Sequence, residues 1–190
     1  MHHKGIVGQT GFGKTSYAWL EAAALTSKGE LVIVFDTVDP ETWIATDVFT
    51  DFDAFMRAIK KAENAFIYVD ESVETVGRGN NVERRREAYW LTQRSRHRGH
   101  KVTLIMQDYT AVEPPIRKNL SGIVMFNVHR SEAEIWAKQF NDDEMLKAAE
   151  LPQFAFIEKW RGHEATQLKI PHPKKWPKFE RPADEDDILA

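Results

Sequence analysis

The chain has no cysteine. Disulfide staples and cysteine-based zinc sites are therefore excluded, and the composition suits a reducing compartment. No window approaches 18 consecutive apolar residues, and Met1-His2-His3-Lys4 leads straight into an apolar segment. Neither a membrane-spanning helix nor a signal peptide is expected. No charge sign dominates: the formal net charge is −3, which gives no global hint of a polyanionic partner. There is no internal repeat. What is present suffices for one domain, or one domain with a tail: 190 residues, 42% of them hydrophobic.

The first informative stretch is "GQTGFGKT", residues 8–15. Its G-x-x-x-x-G-K-T spacing is that of a P-loop, whose backbone N–H groups wrap nucleotide phosphates. Gly8, Gln9, Thr10, Gly11, Phe12 and Gly13 would form the cradle. Gly11 and Gly13 suit a backbone that approaches an anion closely at positive φ. Lys14 would reach the β- and γ-phosphates of ATP and Thr15 would ligate Mg2+, with Ser16 at the start of the following helix. Residues 5–7 read as the end of a strand and residues 16–26 as a helix.

Apolar runs then alternate with helical patterns. Residues 31–36, 65–70, 102–106 and 123–126 read as buried strands. Phe52, Phe55, Met56 and Ile59 fall at i, i+3, i+4 and i+7, and Ala133, Trp136, Ala137 and Phe140 repeat the helical spacing. Residues 82–97 read as one long helix. Asp142 or Asp143 would cap a short helix ended by Leu151-Pro152. Residues 154–160 and 165–170 read as a closing hairpin, and the tryptophans, Trp136 and Trp160 included, as core. The pattern predicts an α/β protein: a RecA-like P-loop fold, mainly parallel sheet covered by helices on both faces, with a C-terminal β-hairpin. The ATPase core is expected over 1–170. Residues 171–190, with four prolines, basic at Lys174, Lys175 and Lys178 and acidic over 184–187, are expected to be a charged tail.

Asp70-Glu71 follows an apolar strand, where a Walker B pair stands. Asp70 can hold the magnesium shell, and Glu71 can polarise water for attack on the γ-phosphate. Small-molecule kinases, whose nucleophile is a substrate hydroxyl, usually lack the second acid. Gln107 ends the strand expected between those of the P-loop and Asp70, where an amide can touch both γ-phosphate and water. Asp36-Thr37 ends another strand.

Residues 83–101 carry seven Arg or Lys against two Glu. Dense charge of this kind is usually a solvated face. Upstream, however, "VGRGNNV" (76–82) is a Gly/Asn-rich loop with Arg78 at its tip, leading from the Asp70 strand into Arg84, Arg85 and Arg86. That arrangement suits grip on a phosphate backbone without reading of sequence. Arg94, Arg96 and Arg98 precede the next strand, and in a ring one of them could enter the neighbouring ATP pocket as an arginine finger.

The order of these features (residues 8–15, Asp70-Glu71, "RSRHRG" at 94–99, Gln107, then "IRKN" at 116–119) resembles that of the FtsK/HerA superfamily. Within it the chain looks most like the genome-packaging ATPases of tailless icosahedral viruses with an internal membrane. The resemblance covers about residues 3–130. It implies Glu71 as catalytic base, Gln107 as sensor and Arg96 as finger, in a homo-oligomeric ring that moves double-stranded DNA. It also implies capsid or portal-vertex partners, and residence in the host cytoplasm or on the virion at a packaging vertex. With the P-loop starting at residue 8, the N-terminal accessory domain of the larger members is not expected. Two readings from other classes stay open: a small-molecule or nucleoside kinase, and a nucleotide switch that binds a protein partner. An extrusion ATPase related to zonula occludens toxin would normally carry a membrane span.

Overall fold

The computed structural model describes residues 3–70, 82–107 and 113–171, with backbone alone for 82–85. The segments the sequence marks as strands, joined by one short strand it does not mark (Asp47–Phe49), form one sheet. They are β1 (Lys4–Val7), β2 (Val32–Phe35), β3 (Asp47–Phe49), β4 (Phe66–Val69), β5 (Lys101–Met106), β6 (Gly122–Met125), β7 (Ala155–Trp160) and β8 (Thr166–Lys169). Their spatial order is β3-β2-β4-β5-β1-β6-β7-β8. Pairing is parallel from β3 through β6, and β7 and β8 close the sheet as an antiparallel hairpin. β5 lies between β4 and β1, as its position in the sequence pattern requires.

Side chains alternate across the pleat and build two cores. Ile6, Val34, Ile105 and Val124 face α1 (Lys14–Thr26) through Ala18 and Ala22. Val7, Ile33, Ile67, Leu104 and Ile123 face the opposite layer. That layer holds Phe55 and Ile59 of α2 (Phe52–Lys61), Ala88 of α3 (Val82–Tyr89) and Trp136 of α5 (Arg130–Phe140). Helices thus cover both faces. α2 starts where Asp51 accepts from Ala54 N–H at 2.7 Å. A 3₁₀ segment, Asp143–Glu150, is capped by Asp142, which accepts from Glu144 N–H at 3.0 Å.

Three details differ from the sequence pattern. The expected helix over 82–97 is α-helical only to Tyr89, then turns π over Trp90–Arg94 and 3₁₀ over Ser95–Arg98. The Thr92 and Ser95 hydroxyls donate to the carbonyls four residues back, Ala88 and Leu91, and so disturb the α ladder. The three-residue β3 and the short α4 (Pro114–Lys118), with Pro at its first turn, are too brief to show a period. Trp136 is fully buried, whereas Trp160 is only half-buried and covers Gly122. The tail expected from 171 lies, beyond Pro171, outside the described residues.

Candidate nucleotide site

Residues 8–13 connect the carboxyl end of β1 to α1. Gly11 and Gly13 take φ of 82° and 111°, left-handed values that glycine alone adopts cheaply. α1 then begins with no side-chain cap and no acid in its first turn. Its first N–H groups and the positive end of its dipole are left for an anion.

The loop is held from the β6 side. Gln9 N–H donates to the Asn127 carbonyl at 2.8 Å, and Gln9 Nε2 to Asn127 Oδ1 at 3.1 Å. Asn127 Nδ2 donates in turn to the Leu151 carbonyl at 2.8 Å. Gln153 Nε2 donates to the Gly11 carbonyl at 2.8 Å, and Phe154 N–H to that of Phe12 at 3.1 Å.

Lys14 is buried, and its Nζ donates to the Gln9 carbonyl at 3.1 Å. Burial pushes its pKa below the ordinary value, while the carboxylates of Asp70 and Glu132 pull it back up. Thr15 Oγ1 donates to Asp70 Oδ2 at 3.1 Å, joining α1 to the end of β4. Asp70 N–H donates to the Phe35 carbonyl at 2.9 Å, which sets Asp36 at the neighbouring strand end. Asp36 is buried, and both its oxygens are engaged. Oδ1 accepts from Val38 and Asp39 N–H at 2.8 and 3.3 Å, and Oδ2 from Trp43 Nε1 at 2.7 Å. It supports the site by shaping the loop after β2. Carrying the β1–β5 register one step beyond Val7–Met106 sets Gln107 beside Gly8.

These groups line one open cleft of about 380 Å³. Thr10, Gly11, Gly13, Lys14, Thr15 and Ser16 form its floor. Asp36, Val38, Asp39, Asp70, Ile105, Met106 and Gln107 flank one side, with Phe154 also in the wall. The donor set fits a magnesium nucleotide: a hydroxyl and a carboxylate already meet, beside an uncapped helix end and a lysine. Among the described residues no cluster of three His, Asp or Glu could hold a metal by itself. A magnesium ion here would draw further ligands from phosphate oxygens and water.

Glu71 and Arg78 lie outside the described residues, as do the side chains of Arg84 and Arg85. Arg86 is exposed on α3. Of the three arginines before β5, Arg98 caps α2, donating from Nε to the Ala62 carbonyl at 3.0 Å and from a terminal nitrogen to that of Lys61 at 3.2 Å. Arg94 and Arg96 are exposed. They stand at the amino end of β5, whereas the cleft lies at the carboxyl ends of the parallel strands. Six residues of strand separate the two, about 20 Å. The structure does not bring Arg96 to its own chain's cleft.

Sequence reasoning missed Asn127, Gln153 and Phe154. Asn127 carried a legible signal: it follows an apolar strand, as Asp36, Asp70 and Gln107 do. Gln153 and Phe154 carried none, because only the path of the hairpin brings them to the loop. No described helix is long and apolar enough to cross a membrane.

No family model and no curated protein sequence matches the chain. Solved structures do. B204, the DNA-packaging ATPase from Sulfolobus turreted icosahedral virus, aligns with a TM-score of 0.73 at 17% identity, over 90% of this chain and 98% of that one. The genome-packaging NTPase B204 from Sulfolobus turreted icosahedral virus 2, in complex with AMPPCP, gives 0.70 at 18%, over 88% and 97%. The pCW3 conjugation coupling protein TcpA, with ATPγS, gives 0.68 at 17%, over 88% of this chain and 59% of that one. At these identities the likeness is one of fold alone: the RecA-like P-loop fold, as the alternation of strands and helices predicts.

Proposed function

We propose that the chain is an ATP-hydrolysing DNA translocase that pumps viral double-stranded DNA into a preformed capsid, working as a homo-oligomeric ring. The observation that carries this reading is the pairing of Thr15 with Asp70 beside Lys14 and an uncapped α1, a cleft made for a magnesium triphosphate. Support for the ring comes from Arg94 and Arg96, exposed about 20 Å of strand away from that cleft. An arginine there, if it acts in hydrolysis, acts at another copy's site. The likeness in fold to a DNA-packaging ATPase and a conjugation coupling protein supports DNA as the cargo.

Residues 8–13 and Ser16 hold the phosphates through backbone N–H groups, and Lys14 draws charge from the β- and γ-phosphates. Mg2+ on Thr15 and Asp70 would supply the remaining charge neutralisation. Glu71, next after Asp70, orients and deprotonates water. Gln107, level with Gly8, senses loss of the γ-phosphate. Arg96 of an adjacent copy completes the pocket, a contribution worth about 10³ to 10⁵ in rate where such fingers operate. Arg78, Arg84, Arg85 and Arg86 grip the DNA backbone. The protein would act in the host cytoplasm, docked on capsid or portal proteins at a packaging vertex, and remain there on the virion.

The test is ATP hydrolysis with and without long double-stranded DNA, at low and at physiological salt. Stimulation that fades as salt rises is expected, because phosphate contacts compete with counterions. Turnover that needs an added nucleoside acceptor would make the chain a kinase. Slow turnover indifferent to both would make it a switch.

A further inference from the structure

Phe154 stands in a backbone conformation that its side chain disfavours. Its φ is 65°, in the left-handed region where a bulky residue is a genuine outlier. The conformation is held from two sides: Phe154 N–H donates to the Phe12 carbonyl at 3.1 Å, and its carbonyl accepts from Ile170 N–H at 2.9 Å. A glycine would make both bonds without strain. The backbone therefore gives no reason for a phenylalanine, and the reason lies in the ring. That ring presses on the loop, where a Cβ on Gly13 would fall 2.9 Å from Phe154 Cδ1. It is half-buried and forms part of the cleft wall. Strain held in place at a cleft points to a use for the strained group.

The order of strands decides which end of a nucleotide the ring meets. β4 and β5 bring Asp70 and Gln107 to the cleft from one side of β1, and the segment entering β7 brings Phe154 from the other, beyond β6. Thr15 with Asp70 is the metal end, where β- and γ-phosphates lie. The rest of the ligand must leave on the β6–β7 side, and the group that follows the phosphates there is the nucleoside. Val38 is an exposed apolar side chain of the cleft, but it sits in sequence between Asp36 and Asp39, on the metal side.

We propose that the Phe154 ring is the platform on which the base of the bound nucleoside triphosphate packs. The inference rests on the nucleotide-binding reading of residues 8–16 and names the part of the ligand that reading leaves unassigned. A phenyl ring offers area and a π-face but no hydrogen-bonding group. It therefore holds purines more tightly than pyrimidines and does not distinguish adenine from guanine.

The test is calorimetric titration of the full chain with magnesium ATP and, separately, with inorganic tripolyphosphate. Phe154→Gly suits the left-handed backbone and keeps the bonds to Phe12 and Ile170. Because the ring also packs on the α1-side core, tripolyphosphate binding serves as the control that the fold and the loop stand. It is expected to weaken ATP binding roughly tenfold to a hundredfold while leaving tripolyphosphate unchanged. Phe154→Trp is expected to restore ATP affinity. ATP binding to Phe154→Gly at the original affinity overturns the proposal. An equal loss of ATP and tripolyphosphate overturns it too, since the ring would then be shaping the phosphate loop. Binding of neither probe to the unaltered chain is a different failure, and removes the nucleotide reading itself.

Discussion

Thr15 Oγ1 lies 3.1 Å from Asp70 Oδ2, although 55 positions separate the two residues. One stands in the first turn of the helix after β1 and the other at the end of β4, two strands away across the sheet. The pair can act on an ion only because the parallel topology lays both strand ends along one rim.

Thr15→Val keeps the shape of the side chain and removes the hydroxyl. ATP affinity measured with magnesium is expected to fall about tenfold, an estimate based on the loss of one good ligand or charged hydrogen bond. Affinity in excess EDTA is expected to stay unchanged. An equal fall under both conditions would assign Thr15 to the loop's shape and not to the metal.

Glu71→Gln preserves size and removes the carboxylate proposed as the base. ATP binding is expected to persist while turnover falls below detection in a phosphate-release assay. Turnover within a few fold of the original would take Glu71 out of the role of base.

Much of this architecture is legible from local pattern. β2 and β4 are apolar throughout, as are residues 6–7 of β1, 104–106 of β5 and 123–125 of β6, because both faces of a parallel sheet are covered, and α2 shows its buried stripe plainly. The floor of the cleft was legible because phosphate binding demands Gly11, Gly13, Lys14 and Thr15 at set spacing. Less local features were not. The π turn at Trp90–Arg94 depends on two hydroxyls bonding backward, and residue type alone does not show whether they will. Arg98 looks like its neighbours Arg94 and Arg96 in sequence, yet the end of α2 lies beneath it and claims its guanidinium. Phe154 reaches the loop only because the chain returns there after α5.

His100 makes folding depend on pH. It is fully buried. Its Nδ1 accepts from Ala65 N–H at 3.1 Å, so Nε2 carries the proton and donates to the Ile59 carbonyl at 2.9 Å. Burial lowers its pKa, reinforced by Arg98 and opposed by the Ile59 carbonyl and Glu63. The unfolded chain therefore takes up this proton first. Stability is lost as pH falls from the ordinary value of 6.5 toward the lower folded value, and is level above that window. His100→Gln can make both hydrogen bonds without titrating. Denaturant melts across this range should show a shallower acid slope for the variant, by up to about 1.4 kcal/mol per pH unit. Parallel slopes would clear His100 of the effect.

Lys4, Glu21 and Tyr68 form a polar cluster under α1. The Lys4 ammonium pairs with Glu21 Oε1, and the Tyr68 hydroxyl donates to Glu21 Oε2 at 2.7 Å. Glu21→Ala leaves Lys4, whose side chain is 8% exposed, without its carboxylate. The expected cost is about 3 kcal/mol, read as a lowered midpoint in denaturant. Adding Lys4→Met should recover most of it, because the stranded charge and not the lost pair makes up the larger part. Failure of the double variant to recover would mean that Tyr68 carries the penalty.

Arg96 separates a ring from a set of independent subunits. Its exposed side chain stands at the far end of β5 from the cleft of its own chain, so any role in hydrolysis belongs to a neighbour's site. Arg96→Ala should bind ATP normally, since its own pocket is intact. Mixed with unaltered chains, each variant subunit would leave one adjoining pocket incomplete, and a ring that fires in sequence stalls at that pocket. DNA-stimulated hydrolysis in mixtures should therefore fall more steeply than the fraction of unaltered chain. A strictly proportional fall would show that each pocket works alone, and would remove both the finger and the ring from the mechanism.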